Sequence, residues 1–265
     1  MKNRKTIYVF LSIFFAVLFF IWDNYSFEEL ATKKENIKLS TTNFLPTSTT
    51  GQIVHHNYYS LSYNEPFEQA EWVAYSLTSD QIVSTDFKRP YFEKDSKVKT
   101  KSAHYKNYSN SGYDKGHLCP AADRQFSKLA HDETFLTSNI SPQNHQFNSG
   151  IWNRLEQKTR YWATKYKSLY IVTGGILSTD LKTIGSEKVG VPNYFYKIIL
   201  DYHEPEIKAI AFLIPHEDSN KNLYKFVTSI DEIETLTGID FFSQLPDDLE
   251  NKIEKSNSYN NWSFR

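Results

Sequence analysis

Uncharged and mostly apolar residues extend from Thr6 to Trp22, directly after the basic segment 1–5. At about 1.5 Å per residue this run spans about 25 Å as a helix, which is the lower limit for crossing a bilayer. Bulky residues continue up to Asp23 without a small-residue cleavage site, and this favours a signal anchor at 1–22 over a cleaved signal of a secreted protein. The preceding positive charges predict that the rest of the chain lies outside the cytoplasm, in a periplasm or the extracellular space.

Beyond this run the residues at 23–50 are polar, with a cluster of Pro, Ser and Thr at their end that indicates a linker. The periodic apolar pattern of a folded domain occupies 51–255, and no boundary divides it. A polar tail follows at 256–265. We therefore predict one domain held by a flexible segment.

Short segments rich in Tyr, Val, Ile and Trp predict the strands of this domain. The first two are 58–63 and 71–78, and a third at 168–173 precedes a pair of glycines. The segments 194–202 and 207–214 flank a Glu-Pro dipeptide, which predicts an antiparallel pair.

Apolar residues recur at helical spacing elsewhere. The clearest helix covers 148–167, and a second pattern covers 123–136. The residues 223–255 are typical of short helices, with an N-cap at Ser229 or Asp231.

The net charge and the cysteine content say little about function, but one segment of the chain is clearly basic. The 265-residue chain has a formal charge of −1, which gives no global sign of a polyanionic partner. The segment 88–106, however, carries seven Lys or Arg residues against two acids. Such a run is either a solvated loop or a patch that steers a phosphate backbone. Cys119 is the single cysteine, so the chain forms no internal disulfide.

The motif at 113–123 is the densest polar cluster in the sequence. Cleavage of a phosphodiester needs a base for water, a cation on the phosphate oxygens and help for the leaving group. The imidazole of His117 has a suitable pKa for the base, and Gly116 lets the backbone turn sharply and keeps the imidazole accessible. We expect Asp114 to anchor the turn, while Lys115 faces either a phosphate or solvent.

A second polar set begins at Asn148, where the long predicted helix starts. Mg²⁺ prefers oxygen ligands and keeps most of its waters, so a single carboxamide is a suitable ligand. Glu156 lies eight residues further on roughly the same helical face and can orient metal-bound waters. Arg160 can reach a phosphate or pair with Glu156. Ordinary alternatives remain: Asn148 as a helix N-cap, the Glu156–Arg160 pair as a surface ion pair, and a purely structural His117.

No paired Cys or His set indicates zinc, and no Walker or Gly-x-Gly-x-x-Gly loop indicates a nucleotide. The motifs together resemble the DNA/RNA non-specific endonuclease family, which includes the mitochondrial endonuclease G group. The family's Asp-Arg-Gly-His-Leu-x-Pro-Ala motif corresponds to 114–121, its Leu-Ser-Asn-Ile-x-Pro-Gln pattern to 136–143, and its Asn-x-Gly-x-Trp-x-x-Leu-Glu pattern to 148–156. The resemblance covers about 51–250. Lys115 stands where the family has Arg, which keeps the charge but loses the bidentate fork.

The resemblance implies an α+β, ββα-metal fold, with a mixed, largely antiparallel sheet flanked by helices and the metal ligand on the crossing helix. By matching positions it implies that His117 is the general base, that Asn148 binds Mg²⁺, with Mn²⁺ as a substitute, and that Glu156 holds metal waters. The predicted catalytic residues are His117, Arg89, Asp114, Lys115, Glu156 and Arg160, and the predicted substrate contacts are Arg89, Lys115, Arg160 and Asn139.

The leading hypothesis is a membrane-anchored, Mg²⁺-dependent, sugar-nonspecific endonuclease that hydrolyses DNA and RNA. A catalytically weak surface receptor that binds or takes up nucleic acid on the same fold is the alternative, motivated by the basic run and by Lys115. A third hypothesis keeps the chemistry and changes the substrate to a small phosphodiester. The oligomeric state stays open, and a homodimer is compatible with the sequence.

Overall fold

The fold is built on a seven-stranded sheet, seen in a computed structural model that describes residues 44–203 and 206–264. In their order across the sheet, the strands are β1 (Ile53–His55), β2 (Ser60–Asn64), β3 (Gln69–Thr78), β6 (Ser168–Gly175), β9 (Tyr194–Asp201), β10 (Lys208–Pro215) and β11 (Val227–Thr228). Every pairing between neighbours is antiparallel. The α+β class is confirmed, and the expected mixed sheet is corrected to an antiparallel one, because each connection returns the chain in the opposite direction.

The five predicted strands correspond to β2, β3, β6, β9 and β10, with bounds shifted by at most two residues. The predicted antiparallel pair is β9 with β10. Two small antiparallel pairs were not predicted: β4 (Asp114–His117) with β5 (Ile140–Gln143), and β7 (Thr183–Ile184) with β8 (Val189–Gly190). Their segments are too short or too polar to show the alternation of a half-buried strand.

The described part of the chain forms the α-helices α1 (Lys128–Glu133), α2 (His145–Phe147), α3 (Asn153–Tyr166), α4 (Ile230–Thr237) and α5 (Asp247–Glu254). The predicted helix at 148–167 is divided, because a π-helical segment (Asn148–Trp152) precedes α3 and Gly150 in it has non-helical dihedral angles of φ −98° and ψ −106°. In place of the predicted helix at 123–136, the structure has a 3₁₀ turn followed by the shorter helix α1. The predicted cap at Ser229 is confirmed, since its hydroxyl accepts a hydrogen bond from Glu232 N at 3.2 Å.

Helices cover both faces of the sheet. On one face, the ring of Trp162 in α3 stacks on Phe212 of β10, with centroids 6.1 Å apart. Phe212 is the register partner of Lys197 in β9, so both side chains point to this face. On the other face, Phe241 contacts the ring of Tyr196 at 5.7 Å. The segment that joins α4 to α5 therefore packs on the face opposite α3.

The order of elements β4, β5, α2, the π-helical segment and α3 is the strand–strand–helix arrangement that the resemblance implied. Residues close to both expected domain boundaries pack into the fold. Phe44 is fully buried and lies 5.2 Å from the ring of Tyr170, and Trp262 packs against Trp162 at 4.9 Å. The domain is thus wider than 51–255, because these aromatic side chains complete the core at its two ends.

The expected anchor at 1–22 and most of the expected linker lie outside the described residues. Within 44–203 and 206–264, no helix combines the length and the apolar character needed to cross a bilayer.

Candidate active site

A carboxylate on β4 joins this strand to the π-helical segment. Asn148 Nδ2 donates to Asp114 Oδ2 at 3.0 Å, and His145 Nδ1 lies 2.9 Å from the same oxygen. The N-cap of α2 is Asn144, whose Oδ1 accepts from Gln146 N at 2.9 Å, so the alternative of Asn148 as an N-cap is wrong. Because the amide nitrogen of Asn148 faces Asp114, its carbonyl oxygen points away from this carboxylate. The structure thereby links the predicted metal ligand to the strand that carries the predicted base.

Gly116 serves close packing within the β4–β5 pair. A Cβ at this position would lie 2.2 Å from the side chain of Gln143. The expectation that Gly116 forms a sharp turn is therefore corrected, since it lies inside a strand where a neighbouring side chain occupies the space of a Cβ.

His117 lies between two phenylalanine rings, with ring centroids 5.0 Å from Phe135 and 5.7 Å from Phe92. Its Nε2 is buried and has no hydrogen-bond partner among the described residues. Burial, assisted by the positive charge of Arg89 and by His131, lowers the pKa of His117 to about 3. The imidazole is therefore neutral at pH 7, which is the form that can accept a proton.

Two of the predicted phosphate-binding cations lie over the rings that flank His117. The guanidinium of Arg89 is 5.4 Å from the ring centre of Phe135, and Arg89 is exposed to solvent. Lys115 Nζ is 5.5 Å from the ring centre of Phe92. Positive charge thus lies on both sides of the imidazole, where it can attract an anionic phosphate.

Arg160 binds a different acid from the one expected. Its Nη1 lies 2.8 Å from Asp123 Oδ1, and its side chain is 18% exposed. The other oxygen of Asp123 accepts a hydrogen bond from the hydroxyl of Tyr75 at 3.0 Å. The ordinary alternative of a Glu156–Arg160 surface pair is therefore wrong, and the Arg160 salt bridge fastens α3 to the end of the polar motif.

Glu156 lies close to a buried lysine. Burial raises the pKa of Glu156 to about 7, against the lowering effect of Lys197, while Asp123 raises this pKa and Arg160 lowers it. Lys197 is fully buried, and its Nζ is 4.8 Å from the ring of Trp152 without a hydrogen-bond partner in the described part of the chain. Burial lowers the pKa of Lys197. The two groups therefore influence each other's charge on the α3 face of the sheet without a direct hydrogen bond.

Asn139, a predicted substrate contact, lies below the surface of the site. It is fully buried, and its Oδ1 accepts a hydrogen bond from Cys119 N at 2.8 Å. Its Nδ2 donates to the carbonyls of Cys119 and Thr134 at 3.0 and 2.9 Å. With its donors and acceptor occupied below the surface, the carboxamide shapes the site by fastening the chain on either side of it.

Apart from the buried Asn139, the predicted residues lie in three places: His117, Arg89 and Lys115 at the rings of Phe92 and Phe135, Asp114 bonded to Asn148, and Arg160 bonded to Asp123 near Glu156. Their catalytic and binding roles stay predictions. Five further residues contact or surround them: Lys197, Asp123, His145, Phe92 and Phe135. The sequence indicated no role for these five. Only Lys197 gave a signal, because a lysine between the apolar residues of β9 is unusual unless it is paired.

The oxygen donors of Asn148 and Glu156 are of a kind that fits a divalent metal ion. The carbonyl of Asn148 and the carboxylate of Glu156 are oxygen donors of the kind that Mg²⁺ prefers. Gln143 is the register partner of Asp114 in the β4–β5 pair. Its amide nitrogen and oxygen are buried without a hydrogen-bond partner in the ranges described, so both atoms are free to bind a water or another polar group. Mg²⁺ commonly keeps several of its waters, so a single carboxamide ligand with a nearby carboxylate fits this ion.

Comparison with known proteins gives consistent similarities. The family model described as DNA/RNA non-specific endonuclease matches residues 39–248. The chain is 33% identical over 202 residues to the mitochondrial nuclease EXOG of Danio rerio, which covers 70% of this chain and 59% of that protein. It is 34% identical over 215 residues to a nuclease of Nostoc sp. strain PCC 7120, which covers 75% and 76% of the two chains.

A solved structure described as the EndoG/EndoGI complex is also similar, with a TM-score of 0.71 and 26% identity. The match covers 80% of this chain and 95% of that one. The chain spans about three fifths of the length of the EXOG relatives that it matches.

Proposed function

This chain belongs to the DNA/RNA non-specific endonuclease family, and from that membership we propose that it hydrolyses internal phosphodiester bonds of both DNA and RNA. The observation that carries the proposal is the hydrogen bond from Asn148 to Asp114, on the strand that bears the neutral His117. It joins a candidate base and a candidate metal ligand within one strand–strand–helix unit.

His117 is the proposed general base. Its low pKa keeps the imidazole unprotonated before the substrate binds. A phosphodiester bound beside Arg89 would raise this pKa, because its negative charge stabilises the imidazolium form. The imidazole can then accept the proton of the attacking water as the new bond to phosphorus forms.

The proposed phosphate contacts are Arg89 and Lys115, whose charges lie over the rings beside His117. Arg160 contributes positive charge while it keeps its salt bridge to Asp123. Lys115 offers a point charge where an arginine would offer a planar fork, so it fixes the orientation of the phosphate less tightly.

The proposed cofactor is Mg²⁺, with Mn²⁺ as a substitute, held by Asn148 with Glu156 orienting its waters. When bound, the ion supplies positive charge to the phosphate oxygens and an acidic water near the leaving group. Asp114 orients the carboxamide of Asn148 through the hydrogen bond to its nitrogen. Lys197 favours the ionised form of Glu156, which is the form that can accept hydrogen bonds from waters.

Digestion of plasmid DNA and of RNA by the purified full-length protein tests this function. We expect cleavage of both in Mg²⁺, no cleavage in EDTA, and a loss of about 10³-fold in His117→Ala, because a positioned base contributes on that order. His55→Ala is the matched control, since His55 is an exposed histidine on β1 outside the site. Intact substrate in both Mg²⁺ and Mn²⁺, or full activity of His117→Ala, contradicts the proposal. Salt-dependent binding without cleavage would instead support the surface receptor.

We also propose that residues 1–22 anchor the protein in a membrane, with the nuclease domain outside the cytoplasm. The support is the uncharged run after a basic segment. The full-length protein should then stay in the membrane fraction after a high-salt wash. A mature N-terminus located after Trp22 would indicate secretion instead.

A further inference from the structure

Five carboxylates gather around α4 and α5, beside the segment that packs on the face of the sheet opposite α3. Asp231, Glu234 and Glu254 form one group, and Asp240, Glu250 and Glu254 form a second. Within each group, one carboxylate oxygen of every residue lies within 4.8 Å of the others. Glu254 belongs to both groups and is therefore the centre of the cluster.

Glu254 is buried in a setting that disfavours its charge. Only 7% of the residue is exposed, and its Oε1 has no hydrogen-bond partner among the described residues. It is the last residue of α5, where the negative end of the helix dipole repels an anion. Glu250 precedes it by one turn, and like charges at this spacing destabilise a helix. A buried carboxylate oxygen without a partner, directed into a group of acids, indicates a missing positive ligand.

The negative charge of the cluster is not balanced by salt bridges. None of the ion pairs formed within 44–203 and 206–264 includes one of the five carboxylates. Glu234 accepts a hydrogen bond from the protein, from Phe241 N to its Oε1 at 2.8 Å. Burial and the four neighbouring acids raise the pKa of Glu254 to about 8.

We propose that this cluster is a binding site for a Ca²⁺-type divalent cation, centred on Glu254 and separate from the nuclease site. The side chains that converge there offer only oxygen atoms, which suit Ca²⁺ and Mg²⁺ better than zinc or copper. Ca²⁺ binds six to eight oxygens at about 2.3–2.6 Å, so ligands on opposite sides lie about 4.6–5.2 Å apart. Carboxylate oxygens within 4.8 Å of one another can reach a single such ion, and an irregular set of acids suits the flexible coordination of Ca²⁺ better than the near-ideal octahedron that Mg²⁺ requires.

The position of the site predicts a structural effect. A cation held there would connect α4, the segment after it and α5. Asp240 is also tied to the start of the described chain, since Thr47 N donates to its carbonyl at 2.9 Å and its own N donates to Thr47 Oγ1 at 2.8 Å. Binding should therefore stabilise the fold and leave the cleavage chemistry on the other face unchanged.

Thermal unfolding of the chelator-treated full-length protein, with and without CaCl₂, tests the proposal. At a hundredfold excess over the dissociation constant, Ca²⁺ is expected to raise Tm by about 5 °C or more. MgCl₂ at the same concentration should raise Tm less. Glu254→Gln removes the shared ligand and should abolish the Ca²⁺-dependent rise while Mg²⁺-dependent nuclease activity is retained.

Two control variants show whether the Ca²⁺ response belongs to this cluster. Asp248→Asn changes an exposed acid of α5 outside both groups and should keep the full Ca²⁺ response. Asn148→Ala should also keep it, which separates this site from the proposed Mg²⁺ site. If Glu254→Gln fails to fold, Asp240→Asn, at an exposed member of the cluster, should weaken Ca²⁺ binding in calorimetry by about tenfold. No Ca²⁺ effect on the wild type, or an equal effect in the ligand variants, overturns the proposal.

Discussion

Two carboxyl groups with raised pKa values lie in regions on opposite sides of the sheet, and the charges around them differ. Burial raises the pKa of Glu156 to about 7, but Lys197 and Arg160 lower it. Burial and four other acids raise the pKa of Glu254 to about 8. The first region contains its own cations and can receive an anionic phosphate. The second contains uncompensated negative charge and can receive a cation.

The comparison shows how little a net charge of −1 says about partners. The net charge is a sum over both regions, and it hides the cations near Glu156 and the acids around Glu254. Substitutions in each region can test whether it owes its properties to the charges that the structure places there.

The largest effect is expected from Asn148→Ala. Loss of a direct metal ligand should reduce cleavage by more than the roughly 10–100-fold that outer partners of a metal site contribute. Asn153→Ala is the matched control, since the hydrogen bonds of the Asn153 side chain stay within the same helical region: its Nδ2 donates to the Ser149 carbonyl at 3.5 Å, and its Oδ1 accepts from Gln157 Nε2 at 3.3 Å. The rate is measured on one plasmid substrate over a Mg²⁺ titration. Equal rates for the two variants would remove Asn148 from the metal site.

A smaller loss is expected from Lys197→Met, which keeps an apolar chain on Trp152 but removes the cation beside Glu156. Glu156 should then ionise less readily, so cleavage falls by about tenfold and more Mg²⁺ is needed for half-maximal rate. Folding should persist, because an apolar residue replaces a buried charge. Lys165→Met, at an exposed position of α3, should change neither quantity. An unaltered Mg²⁺ requirement in Lys197→Met would separate the lysine from the site.

The pH dependence of stability should reveal the low pKa of His117. Its value is 6.5 in the unfolded chain and about 3 in the fold, so the unfolded state binds a proton first as the pH falls. The stabilisation is complete above pH 6.5 and is lost progressively towards pH 3. His117→Gln should therefore lose less stability than the wild type between pH 7 and pH 4 in urea unfolding. Parallel curves for the two proteins would show that the imidazole is not buried as a neutral group.

The smallest effect is expected from Glu250→Gln in the presence of a chelator. Relief of the repulsion between Glu250 and the neighbouring Asp240 and Asp247 should raise Tm by about 1–2 °C, which corresponds to about 0.5 kcal/mol. In excess Ca²⁺ the order should reverse, because the wild type keeps one more ligand. Differential scanning calorimetry in the chelator buffer and in the Ca²⁺ buffer measures the difference in Tm between the variant and the wild type. A variant that is less stable in chelator would mean that the acids are not repelling one another.

The sequence by itself determined the main strands, the long helix and the pairing of His117 with Asn148 as the candidate centre. These features depend on neighbours a few residues apart or on motifs with fixed spacing. Enrichment in β-branched and aromatic residues predicted β3, β6, β9 and β10, because such side chains fit the pleated surface of a strand.

Only the tertiary structure decided which charges face one another. Lys197 of β9 lies near Glu156 of α3, and Arg160 binds Asp123 across 37 positions of the chain. The burial of Asn139 and the convergence of Asp231 on Glu254 were likewise invisible in the sequence. The physical reason is that a pKa and a binding preference depend on burial and on charges within a few ångströms, and folding creates both between residues that no local pattern connects.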